Sequence, residues 1–204
     1  MEKDSQALMF SYWFAAVRRL SVALIVVVLV IGGAAVALLV ADSSGWAGAL
    51  WQGVAIGAGW GAVFVCVIAT SSAVQAGRAA RRYGLVLDER AAVVPSAERV
   101  RVPIRAGTTP YQVTETVLHA LKGVPAPRVG EVLEFTHGKL TVRYDGPGDI
   151  AVALRATVTT DGDTATVELT AGPVSARKKL DGGASWSVLS AVDPAVRKAL
   201  AADV

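Results

Sequence analysis

The chain has one cysteine and two histidines among 204 residues. A single thiol excludes an internal disulfide framework and any multi-thiolate metal cluster. That thiol, Cys66, lies in an apolar run, where it reads as a small apolar side chain. No H-E-x-x-H, Walker loop, nucleophile elbow or Cys/His ligand spacing occurs. Residues 183–187, Gly-Ala-Ser-Trp-Ser, miss G-x-S-x-G at the last position and precede a helix without a core strand. Glu115 and His119 stand one turn apart on the polar side of an amphipathic helix, and His137 sits in a hairpin turn. Asp145 and Asp149 flank a Gly-Pro-Gly turn whose chemistry already explains them. The expectation is therefore no catalytic residue, no cofactor, no metal and no enzyme.

Positive charge is also scarce where nucleic-acid binding would need it. Residues 85–204 carry 14 basic and 14 acidic side chains, which cancel. The whole net charge of +3 arises before residue 85, from six basic side chains against three acids. A basic face for a phosphate backbone is missing, so no nucleic-acid partner is expected.

Charge vanishes altogether in two stretches. Residues 20–41 and 45–70 contain no Asp, Glu, Lys or Arg, and each exceeds the roughly 20 residues needed to cross a bilayer core. They account for the mean hydropathy of +0.47. Only Asp42-Ser43-Ser44 separates them, which predicts a helical hairpin of two spans. Arg18 and Arg19 precede the first run, while Arg78, Arg81 and Arg82 follow the second. By the positive-inside rule both termini are cytoplasmic, the turn faces outward, and the membrane is the plasma (inner) membrane. These five arginines are the candidate lipid-headgroup residues. A cleaved signal peptide is not expected, because the first run is too long and a second follows at once. Residues 1–19 are aromatic-rich and read equally well as a short interfacial helix or as an extension of the first span.

Within the second run Gly53, Gly57 and Gly61 repeat every four residues, and Gly45 and Ala49 extend the row. Residues four apart share a helix face, so another backbone can approach closely there. Gly33, Ala37 and Ala41 offer a matching row in the outer half of the first run. Its inner half, residues 20–30, is almost all large aliphatics, so Gly57 and Gly61 are expected to meet a second copy or a partner span. This face resembles the glycine-zipper spans of some oligomeric channels. Residues 57–62, Gly-Ala-Gly-Trp-Gly-Ala, fit a dinucleotide fingerprint by letter only, since no strand precedes them.

Residues 71–84 read as a basic helical continuation of the second span, and residues 85–204 as a cytoplasmic domain. Val100, Val102 and Ile104 alternate with Arg99, Arg101 and Arg105, the pattern of a half-buried strand. Thr109-Pro110-Tyr111-Gln112 predicts a capped helix start. Strands follow at 131–136, 139–144, 150–159 and 165–169, with a shorter one near 174–180. A last helix begins near Trp186 and is renewed at Asp193-Pro194. The fold class is a membrane α-helical hairpin plus a small α+β domain, with an antiparallel sheet and helices on one face. Its element order resembles that of helix-grip ligand-binding domains and, more distantly, a pleckstrin-like barrel.

The function this suggests is a scaffold or assembly subunit, whose glycine-faced spans self-associate and display the cytoplasmic domain. Its partners would be membrane lipids and a second copy or another membrane protein. A small glycine-zipper channel and a membrane-tethered lipid or small-molecule binder are the alternatives.

Overall fold

The computed structural model describes residues 2–41, 46–87, 89–105, 107–145, 150–175 and 180–202. Gly45 and the turn 42–44 lie outside them. Two long helices come first, α1 (Glu2–Ala41) and α2 (Trp46–Tyr83). They run antiparallel along their length, with Gly32 beside Gly53 and Gly57, and Tyr12 beside Ser72. By length and composition α2 can cross a membrane, and α1 can too if its segments Met9–Leu20 and Leu24–Val40 form one span across a 56° bend.

A 3₁₀ turn (Glu89–Ala92) leads into the domain: β1 (Ser96–Pro103), α3 (Pro110–Gly123), β2 (Val129–Thr136), β3 (Lys139–Asp145), β4 (Ala151–Asp161), β5 (Thr164–Pro173) and α4 (Ala184–Ala202). The strands form one antiparallel sheet in the order β1-β5-β4-β3-β2. Strand alternation sets its two faces. Val100, Val142, Leu154 and Val167 point one way and are buried under α3 and α4. Arg99, Arg155, Thr157 and Glu168 point the other way and stay exposed.

The start of α3 carries the capping box that Thr109 and Gln112 imply. The Gln112 amide donates to Thr109 Oγ1 at 3.3 Å, and the Thr109 amide donates to Gln112 Oε1 at 2.8 Å. At the far edge β2 is bulged twice and mostly exposed, which blunts its free edge.

Two details of the sequence reading change. The strand expected near 174–180 is not formed at Val174, Ser175 or Leu180, the other residues lying outside the described set. The last helix is continuous through Pro194 rather than restarted there. Proline removes one amide, the one that would pair with the carbonyl of Ser190, a half-exposed residue.

Tyr144 on β3 is fully buried, and its hydroxyl has no hydrogen-bond partner among the described residues. Burial pushes its phenol well above the ordinary tyrosine range. The folded state therefore holds that proton more tightly than the unfolded chain. The associated stability is complete below the ordinary tyrosine pKa of about 10 and is lost as pH rises above it. Tyr144→Phe deletes an unpaired buried polar group at constant shape, so its melting point at neutral pH should equal or exceed that of the wild type. Above pH ~10 the variant should lose less stability than the wild type; an equal loss would place the alkaline sensitivity elsewhere.

Candidate functional site: the helical hairpin and its junction with the sheet

The buried face of α2 is built from small residues at intervals of four: Ala49, Gly53, Gly57, Gly61, then Val65 and Ala69. A spacing of four overshoots the helical turn by about 40°, so this face stays on its partner only if the helices wind about each other. That partner is α1 of the same chain. A Cβ added at Gly57 would lie 2.7 Å from the Val28 carbonyl oxygen and 2.9 Å from Cα and N of Gly32. At Gly53 it would meet the Gly32 carbonyl oxygen at 2.8 Å, and at Gly61 the Leu24 Cδ1 at 2.6 Å. The face assigned above to a second copy is thus occupied within the chain, including at Gly57 and Gly61.

The opposing row on α1 also differs from the one expected. It runs Leu24, Val28, Gly32 and Val36. A Cβ at Gly33 would meet nothing within 4 Å, and Ala37 is exposed. The large aliphatics of α1 do not exclude α2. They reach across to it, and glycine is what leaves room for them.

Towards the chain's polar half the small row continues as Ala69, Ala73, Ala76 and Ala80, and it meets a second buried cluster. Here Tyr12 and Ser72 share a buried hydrogen bond of 2.6 Å. The Trp13 indole donates to Thr70 Oγ1 at 3.3 Å. Leu87, Ala91, Ala92 and Trp186 close the cluster from the side of the domain.

Its keystone is the loop before α4. Asp181 is 2% exposed, and its carboxylate accepts from the Gly183 amide at 3.1 Å and the Ser185 amide at 2.9 Å. It thereby satisfies two amides at the helix start, where a negative charge is also favoured by the helix dipole. Gly182 and Gly183 have φ of 60° and 73°. A Cβ on Gly182 would lie 2.6 Å from Gln75 Oε1, and one on Gly183 would lie 3.0 Å from Ala76 Cβ. Left-handed backbone and close approach both demand glycine here. Nearby the Arg19 guanidinium donates to the Val94 carbonyl at 3.3 Å. The domain is therefore fastened to the base of both helices, through α4 on one side and the 3₁₀ segment on the other.

Beside the junction lies a cleft of about 380 Å³, lined by Val86, Val93, Trp186 and Leu189 and rimmed by Arg90 and Glu98, which are 3.9 Å apart. Among the described residues no three of His, Cys, Asp and Glu gather to hold a metal. Glu115, His119, Lys122 and His137 are exposed. Arg18, Arg19, Arg78, Arg81 and Arg82 are all exposed, the first two near the middle of α1 and the other three towards the end of α2.

Sequence reasoning missed the junction, although two signals for it were present. The alanines at 69, 73, 76 and 80 continue the glycine row beyond the apolar run, and Asp181 stands four residues before a buried Ser185. Compared with protein-family models, curated proteins and solved structures, the chain matches none.

Gly57→Ala should lower the melting temperature of the detergent-solubilised protein, by a cost of about 1–3 kcal/mol, because its methyl group meets backbone rather than a movable side chain. Gly59→Ala, two residues away with nothing within 4 Å, is the control and should melt no lower than the wild type. Equal melting of both variants would contradict the packing described.

Proposed function

We propose that this is a two-span inner-membrane protein that holds an α+β domain in a fixed pose beneath the bilayer, as a docking platform for an assembly partner. The observation that carries the reading is the junction. A tethered domain needs only a linker, whereas here Tyr12, Ala76, Asp181, Gly183 and Trp186 bury one another where the two helices meet α4. Such packing costs glycine at two left-handed positions and fixes which way the sheet faces. The exposed sheet face is polar and regular, with rows such as Arg99, Glu168, Thr157 and Lys139 across four strands. It suits a partner recognised by hydrogen bonds and charge rather than by apolar burial.

Support for two spans comes from the length and composition of α2, from the uncharged run in α1, and from the arginines that flank the two uncharged runs. In this reading both termini are cytoplasmic. The glycine row then serves the hairpin itself. Self-association is a second reading, favoured by Gly33, Gly48 and Gly59, which leave open, small-residue surface pointing away from the partner helix.

Cysteine labelling in a Cys66→Ser background tests the topology. A membrane-impermeant maleimide should label Ser43→Cys in intact cells, and Thr157→Cys only after the inner membrane is opened. Labelling of Thr157→Cys in intact cells would place the domain outside and end this reading.

A further inference from the structure

The base of the hairpin has two unlike sides. One is buried against the domain through Tyr12, Ala76 and Trp186. The other is apolar and open: Phe10 is 66% exposed, Phe14 62%, Met9 43% and Val74 42%. Between the helices on this side runs a groove of about 280 Å³, lined by Met9, Phe10, Trp13, Thr70, Ala73 and Val74. Its floor is preformed. The Trp13 indole is fixed by its bond to Thr70, and the Phe10 ring stacks on it with centroids 6.0 Å apart. That bond satisfies the one side-chain N–H in the lining, so the groove offers an occupant almost only carbon.

Charge identifies the occupant. The charged residues of α1 and α2 are Glu2, Lys3 and Asp4 in the first turn of α1, then Arg18, Arg19, Arg78, Arg81 and Arg82. Val74 and Arg78 are one helical turn apart and therefore neighbours on the α2 surface, so an exposed guanidinium stands at the groove's polar mouth. An occupant must therefore be apolar along its length and anionic at one end. The groove is also continuous with exposed Val63, Phe64 and Val67 further up α2, the surface that faces acyl chains when the hairpin spans a bilayer.

We propose that this groove binds an anionic phospholipid of the inner leaflet, its acyl chain along Phe10, Trp13 and Val74 and its phosphate at Arg78. The site rests on the two-span reading above. Its consequence is that lipid on one side and the domain on the other clamp the same pair of helices, so headgroup composition acts on the pose of the domain.

The test is native mass spectrometry of the full-length protein, taken from detergent after equilibration with equal amounts of phosphatidylglycerol and phosphatidylcholine. The wild type should retain phosphatidylglycerol in preference, and Arg78→Gln should cut that preference on the order of fivefold, the effect of one arginine at an anionic surface. Val74→Gln, at an exposed position that leaves the core intact, should lower retention of both lipids. No preference in the wild type, retention unchanged in both variants, or a bound polypeptide in place of lipid would overturn the site. Carbonate extraction of the same membranes separates the two ideas. Release of the chain would remove the two-span reading and the site with it, whereas a chain that stays embedded without lipid preference removes the site alone.

Discussion

Everything in this molecule depends on how closely α1 and α2 approach. Gly32 rests against Gly53 and Gly57 backbone to backbone, and at Gly53 and Gly57 there is no room for even a methyl group. In the bilayer proposed above, apolar side chains gain nothing by leaving one apolar medium for another, so close van der Waals contact is what holds two helices together. The same contact sets their register. Once Gly32 lies against Gly53 and Gly57, the helices bring Tyr12 to Ser72 and Trp13 to Thr70 some five turns lower. The junction inherits its geometry from that register. A one-residue slip of α1 would carry Tyr12 off Ser72 and open the cluster under Trp186.

Much of this was legible in the sequence. Alternation in β1, β3, β4 and β5 gave the sheet, and the polar and apolar parity of each strand told which side α3 and α4 would cover. The Thr109–Gln112 box located the start of α3 because capping is a local interaction that needs no knowledge of the fold. The small-residue spacing in α2 identified the packing face correctly but not its partner. Matching small residue to small residue pointed to Gly33 and Ala37, whereas the actual contact uses Gly32, one residue away, and sets Val36 against Gly53 and Leu24 and Val28 against Gly61. A large side chain over a glycine fills the same space as two residues of middle size, and composition does not distinguish these solutions. The junction lay beyond reach for another reason: it joins residues 12, 72, 91 and 181 across most of the chain, and neither period nor motif links them.

The chemistry at the junction explains why an acid is buried there. Asp181 gives both carboxylate oxygens to amides at the start of α4, where hydrogen bonds and the helix dipole favour an acid. That arrangement ties the helix start to a loop whose two glycines lie against Gln75 and Ala76. Force or rotation applied to α2 is thus transmitted to α4, and from α4 to the sheet it covers. A domain joined in this way moves with α1 and α2, which a flexible tether would prevent.

The central claim is that the domain and the hairpin form one unit in the membrane. The most direct measurement is a pulsed electron-spin distance between labels at Phe14→Cys on α1 and Thr157→Cys on β4, in a Cys66→Ser background reconstituted into lipid. Both positions are exposed, and neither side chain belongs to the buried cluster. A single narrow distance distribution is the expected result, and it should broaden when Trp186→Ala empties the junction. A distribution already broad in the unaltered junction would mean that the domain swings freely beneath its spans, contradicting the platform.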